Sequence, residues 1–257
     1  MALNPPLPAW SDCRIWVIGA SSGIGAATAK ALLEAGARVA LSARNARELT
    51  EVAGSNPRAL VEPLDFTDRD ALRAAWHKIR DAWSGIDLVL IVAGTHVEMR
   101  AWDLDANRAD ALLETNLHGP IGVCAVVLPE LLAAGRGAIG IVSSVAGYRG
   151  LPKALIYGAS KAALINFAEA LYLDLNPRGL GVYLIDPGFV KTPLTDKNEF
   201  KMPALISAED AADAMLKGLR AGRFEIDFPR RFTLTMKLLR VLPYRWYFAL
   251  VRRTTGQ

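Results

Sequence analysis

Cysteine and histidine are scarce in this 257-residue chain. The two cysteines, Cys13 and Cys124, stand far apart with no CxxC and no Cys/His cluster near either, which argues against a disulfide framework and a zinc site and fits a reducing compartment. No two of His77, His96 and His118 share metal-ligand spacing, so all three read as ordinary surface or helix residues and no metal is expected. Met1 to Asp12 carries no basic residue and no long apolar run; no secretory or transit signal is read there, and the cytosol is the expected location. No uncharged run reaches the roughly 18 to 20 residues that span a bilayer. No repeat, low-complexity tract or Gly/Ser linker divides the chain. With 52% apolar and 22% charged residues, disorder and collagen-like structure are excluded, and a chain of this size hides about three quarters of its unfolded surface without metals or cross-links.

Acid is missing from one stretch. Residues 229–257 hold seven basic side chains (Arg230, Arg231, Lys237, Arg240, Arg245, Arg252, Arg253) and no acid, and removing them from the net charge of +4 leaves −3 on residues 1–228. The excess of positive charge thus belongs to the tail, and nucleic acid is not an expected partner. We read residues 1–228 as one domain and 229–257 as a basic amphipathic appendage of two short helices split by Pro243. In the second, Arg245, Ala249, Arg252 and Arg253 share one face and Trp246, Tyr247, Leu250 and Val251 the other. Two readings stand side by side: peripheral contact with a membrane surface, or packing on the protein's own domain or across an oligomer interface.

From Arg14 to Asp227 short apolar runs alternate with longer segments of helical period, the pattern of a parallel sheet covered by helices on both faces. The spacing predicts strands at 14–18, 38–42, 59–64, 88–92, 137–143, 181–186 and 224–227. Helices are predicted at 24–35, 46–53, 69–83, 106–134, 155–175 and 208–220, with Asp68 and Ser207 in cap positions. The expected fold is a single α/β domain, a doubly wound sheet of seven parallel strands.

The first strand runs into Gly19-Ala20-Ser21-Ser22-Gly23-Ile24-Gly25 and then an Ala-rich helix. A glycine turn at a helix N-terminus is where a pyrophosphate binds, because glycines let backbone amides approach the phosphates and the helix dipole favours negative charge. The spacing departs from the GxGxxG dinucleotide fingerprint. After the second strand comes Ser42-Ala43-Arg44. The acid that would hold a ribose 2′-hydroxyl is missing and a guanidinium stands nearby, which favours a 2′-phosphate and so NADP(H) over NAD(H); the alternative is a solvated arginine at a strand end. Asp65 is placed either to reach an adenine amino group or to form a turn.

Tyr157-Gly158-Ala159-Ser160-Lys161 opens a helix, and the i to i+4 spacing sets Tyr157 and Lys161 on one face, downstream of Ser144. A phenol titrates near 10 and is a poor acid or base at neutral pH unless its anion is stabilised; a neighbouring lysine ammonium does that.

The glycine turn, Asn116, Ser144, Tyr157 with Lys161, and Pro187-Gly188 with Thr192 follow one another in an order and spacing that resembles the short-chain dehydrogenase/reductase family over residues 13–228. The resemblance implies a Rossmann sheet of order 3-2-1-4-5-6-7 and a tetrad of Asn116, Ser144, Tyr157 and Lys161. It implies that Tyr157 exchanges a proton with the substrate oxygen as hydride moves at C4 of the nicotinamide, while Ser144 polarises the carbonyl. Lys161 would bind the ribose and lower the tyrosine pKa, and Asn116 would kink its helix to seat a water linking Lys161 to solvent. Gly19, Ser21, Ser22, Gly23, Ile24, Gly25, Arg44, Asp65, Ala93 and Gly94 are then the cofactor-binding set. Pro187, Gly188 and Val190 would flank the nicotinamide, with Thr192 on its carboxamide or the pyrophosphate.

Two departures stand out. The family's Asn-Asn-Ala-Gly reads Ile91-Val92-Ala93-Gly94 here, and its Thr before the first glycine is Ile18; both remove side-chain hydrogen bonds. Among the aromatics, Trp76 and Trp83 read as one packed helix face, and Trp102 as the one placed to touch substrate. Residues 193–202 form a short lid in which Leu194, Phe200 and Met202 would offer apolar contact. The expected activity is NADP(H)-dependent interconversion of a carbonyl and a secondary alcohol on a hydrophobic substrate, by a homo-oligomer. The alternative is a non-catalytic dinucleotide-binding regulator on the same fold.

Overall fold

The computed structural model describes residues 2–196 and 202–255. Seven parallel strands, β1 (Arg14–Ile18), β2 (Arg38–Ser42), β3 (Ala59–Val61), β4 (Leu88–Ile91), β5 (Ala138–Val142), β6 (Gly181–Pro187) and β7 (Glu225–Phe228), form one sheet in the order β3-β2-β1-β4-β5-β6-β7. Between them run α1 (Gly23–Glu34), α2 (Ala46–Ala53), α3 (Arg69–Trp83), α4 (Ala106–Leu113), α5 (Gly119–Ala134), α6 (Leu155–Leu175) and α7 (Ala208–Arg220). Alternate strand residues feed two cores, because successive side chains leave a strand on opposite faces. On one face Trp16, Val89, Ile139 and Val182 meet Trp76 of α3, Val127 of α5 and Leu164 of α6. On the other, Ile15, Val39, Leu88 and Ile185 meet Leu32 of α1 and Met215 of α7. Both cysteines lie buried in these cores, and burial pushes their thiols up to about 12.

Caps set the helix starts. Asp68 accepts the amides of Asp70 and Ala71, Asn45 those of Arg47 and Glu48, and Ser207 forms a reciprocal box with Asp210, each occupying amides that the first turn leaves without partners. β1 and β2 coincide with the predicted strands, and the ends of the others differ by at most a residue, except at β3. It stops at Val61 rather than at residue 64, although the amides of Glu62 and Leu64 still donate to the Leu41 and Ala43 carbonyls of the β2 side at 3.0 and 2.9 Å; Pro63 falls between them, where its nitrogen faces away from β2 on this edge strand. The predicted single helix 106–134 is interrupted: residues Glu114–His118 form a π-helical turn between α4 and α5, a wider winding found often at functional sites. By length and composition alone Ala106–Ala134 would cross a membrane. In the fold it is a core helix, with Val123, Cys124, Val127 and Leu131 buried beside the sheet.

The appendage folds as α8 (Arg230–Val241) and α9 (Tyr244–Thr255), broken where Pro243 interrupts the helical hydrogen bonding. Of the two readings, packing on the domain accounts for one side of it. Met236 enters the main core, Thr233 bonds Asp227, and Lys237 bonds Glu225 at 2.7 Å. Arg149 donates to the carbonyls of Leu239 and Arg240 at 2.7 and 3.3 Å, and Tyr247 bonds the Gly150 carbonyl.

Candidate active site

The strand C-termini open into a cleft of about 980 Å³, at the point where the sheet order switches between β1 and β4, the place where doubly wound sheets take their ligands. Its wall gathers Gly19, Ser21, Ser22, Gly23, Ile24, Gly25, Arg44, Asp65, Ala93, Gly94, Ser144, Tyr157, Lys161, Pro187, Gly188, Val190 and Thr192. Asn116 is fully buried just behind it.

The glycine turn is closed so tightly that side chains have no room. A Cβ on Gly19, whose φ is 94°, would lie 2.5 Å from the Ala93 nitrogen, and one on Gly25 would lie 2.0 Å from the Gly19 oxygen. Ser22, the N-cap of α1, makes no side-chain capping bond. The first amides of a twelve-residue helix therefore border the cleft without the usual internal partner, an arrangement that fits a dinucleotide pyrophosphate. Arg44, exposed at the end of β2, borders the same wall, with no acid at residue 43. Asp65 forms a turn at the cleft wall. Its Oδ1 accepts from the Thr67 amide at 3.1 Å and hydroxyl at 2.7 Å, and these bonds, with Arg44 nearby, hold the carboxyl below its usual range against the effect of burial.

The backbone answers for the two departures from the family pattern. The Ile18 carbonyl accepts the amides of both Val92 and Ala93 at 2.9 Å, so β1 and β4 are tied at the cleft floor without an asparagine or threonine side chain.

Ser144 opens a short 3-10 turn, Val145–Gly147, by accepting the Ala146 amide at 3.1 Å, and its hydroxyl donates to the Pro187 carbonyl at 3.4 Å. Tyr157 and Lys161 lie one turn apart on α6. The Lys161 ammonium donates to the Val142 carbonyl at 3.0 Å and stands 5.8 Å from the centre of the Tyr157 ring. A Cβ built on Gly94 would be 3.5 Å from both Lys161 Nζ and Asn116 Oδ1, an ordinary contact distance, which places both side chains beside this glycine. Burial pushes the Tyr157 phenol above its ordinary value, opposed by the Ser144 hydroxyl. Burial also brings Lys161 down to about 8, opposed by Asp186. The site so arranged holds a neutral hydroxyl able to give a proton and a lysine that is still mostly cationic at pH 7.

His96 was not separated from the other histidines by sequence, yet its ring meets Tyr157 edge to face, 4.6 Å between centres, and burial lowers its pKa. Only its place two residues after Gly94 hinted at this. Trp102 is not a wall residue: it is 75% exposed and lies under the Arg100 guanidinium. Of the lid, Pro193, Leu194 and Thr195 line the cleft and Met202 does not. Phe200 lies outside the described residues.

The chain matches the short chain dehydrogenase family over residues 14–202. An uncharacterized oxidoreductase of Myxococcus xanthus is 37% identical over 241 residues, which cover 92% of this chain and 95% of that protein. A short-chain dehydrogenase from Streptomyces avermitilis superposes with a TM-score of 0.79 at 23% identity over 95% of this chain and 98% of that one. A 3-oxoacyl-[acyl-carrier protein] reductase from Brucella melitensis does so with a TM-score of 0.75 at 26% identity over 86% and 91%. The chain belongs to the short-chain dehydrogenase family of oxidoreductases.

Proposed function

We propose that the protein interconverts a carbonyl and a secondary alcohol with NADP(H), on a hydrophobic substrate. The observation that carries this reading is that Ser144, Tyr157 and Lys161 line the same cleft as the glycine cradle. When bound, the nicotinamide dinucleotide supplies or accepts the hydride. The chain's own residues do the rest. The Tyr157 hydroxyl gives its proton to the carbonyl oxygen, or takes it back from the alcohol, and the Ser144 hydroxyl holds that oxygen in place. The Lys161 charge favours the phenolate left behind. Arg44, with no acid at residue 43, suits a 2′-phosphate by its forked donors. Val97, Leu112 and Leu194 in the wall favour an apolar substrate. The Brucella relative, a reductase of 3-oxoacyl groups by its description, is consistent with carbonyl reduction.

The test is a pair of cofactor titrations, NADPH and NADH, followed by turnover on a panel of hydrophobic ketones. Tyr157→Phe is expected to bind NADPH as the wild type does and to lose at least about a hundredfold in kcat. Arg44→Asp is expected to lose the preference for NADPH. Wild-type turnover by Tyr157→Phe would end this reading.

A further inference from the structure

Packing on the domain explains one side of the appendage and leaves the other bare. On α8, Leu234, Leu238 and Val241 are 57, 69 and 77% exposed; at i, i+4 and i+7 they form one stripe along the helix. On α9, Trp246, Phe248 and Leu250 are 68, 51 and 41% exposed. Six arginines accompany them: Arg230, Arg231, Arg240, Arg245, Arg252 and Arg253, all exposed, although the Arg240 guanidinium turns back over the Tyr148 ring of the domain. Lys237, by contrast, is taken up by Glu225 and Asp227. Among the described residues none of the six arginines forms an ion pair, and residues 229–257 contain no acid to provide one.

We propose that the outer face of α8 and α9 is a docking surface for an anionic lipid bilayer. The occupant is chosen by the combination of groups. A second copy meeting this face about a two-fold axis would set arginines against arginines in a drying interface, which like charges oppose. A nucleic acid would neutralise the guanidiniums and leave the leucines and Trp246 in water. A bilayer surface with anionic headgroups satisfies both kinds of side chain: apolar groups enter the acyl boundary while guanidiniums stay at phosphate level on their long stems. The surface is also built in advance, because Met236, Thr233, Lys237 and the Arg149 clamp hold α8 on the domain. Docking need not order a loose tail.

The experiment is cosedimentation of the protein with vesicles of phosphatidylcholine, with and without phosphatidylglycerol, while tryptophan fluorescence is followed, the Trp246 share being the difference from Trp246→Phe. The wild type is expected to sediment with the phosphatidylglycerol vesicles at low salt, with a blue shift, and to be released as salt is raised. Each arginine near such a surface is worth about fivefold in partitioning, so Arg252→Gln with Arg253→Gln is expected to lose roughly 25-fold. Trp246→Ser with Leu250→Ser is expected to lose partitioning at any salt. All four side chains are exposed, so both double variants are expected to keep the wild-type Tm, which is measured alongside. Failure to sediment at low salt overturns the proposal, as does equal sedimentation with pure phosphatidylcholine. So does a dimer that these variants dissociate, or binding of an oligonucleotide, if vesicle binding is absent. None of these outcomes touches the chemistry proposed for the cleft, which is read separately by turnover on soluble ketones.

Discussion

Asn116 satisfies both backbone polar groups of Thr95: its Oδ1 accepts the Thr95 amide and its Nδ2 donates to the Thr95 carbonyl, each at 2.8 Å. The side chain reaches this point from the π-helical turn at 114–118. It holds the segment that follows Gly94, on which His96 and the approach to Lys161 depend. Asn116→Ala strands two part-buried backbone groups, so the expected loss in a urea titration is about 2 kcal/mol or more, together with a fall in kcat. Unchanged stability would show that water replaces the amide.

Lys161 works against the stability of the fold. Its pKa falls from 10.5 unfolded to about 8 folded, so between these values the native state holds fewer protons than the unfolded chain. Stability therefore rises with pH across that window, and the penalty is fully present below pH 8. Lys161→Met is expected to gain about 1 to 3 kcal/mol at pH 7 and to lose turnover. The gain should vanish as pH passes the unfolded value. Melting curves at several pH values would check it; a variant less stable than the wild type at pH 7 would refute it.

Asp186 gives the opposite slope. It faces Asp227 in register on β6 and β7, with Glu225 two residues before Asp227. The Tyr148 hydroxyl is given to Glu225 at 2.7 Å, and neither Asp186 oxygen has a hydrogen-bond partner among the described residues. Burial first, then the charge of Glu225, raises it from 3.8 to about 7. The native state keeps a proton that the unfolded chain has lost, so its contribution to stability is full below the unfolded value and lost as pH rises through about 7. Asp186→Asn is expected to match the wild type near the unfolded value and to be about 1 to 3 kcal/mol more stable at alkaline pH. Parallel melting curves at the two ends of this range decide it.

Arg149 is the clamp of the appendage. Besides the carbonyls at the C-terminus of α8, its guanidinium lies over the rings of Tyr244 and Tyr247, 4.7 and 4.0 Å from their centres. Arg149→Ala removes donors from helix-end carbonyls and a cation from two aromatic faces, a loss of about 1 to 2 kcal/mol. Trypsin is then expected to cut at Arg245 and Arg252 sooner while the sheet domain survives, as read by mass spectrometry. An unaltered cleavage pattern would mean that Tyr247 and Met236 suffice to hold the tail.

Much of the fold was legible because strands and helices answer to neighbours in the chain. Unbroken apolar runs mark strands buried on both faces, and Asp68 and Ser207 mark helix starts through bonds to amides two or three residues on. The order of motifs pointed to the family, and the residues it named line one cleft, with Asn116 buried behind it. What failed had a non-local cause or a local exception. The helix read across 106–134 carries a π turn around a side chain committed to Thr95, and Trp102 was placed by its position in a loop rather than by any contact.

Residue types and their spacing determined the sheet, the glycine cradle, the Tyr157 and Lys161 face, and the amphipathic character of the tail. Tertiary structure decided that His96 touches Tyr157, that Asp186 is buried next to Glu225 and Asp227, and which side of the tail is buried. Tyr247 goes in and Trp246 stays out because Arg149 and Gly150, far back in the chain, provide the carbonyl and the cation that only one orientation of α9 can meet. A periodic pattern defines the faces of a helix; which face is covered depends on groups brought near by the fold.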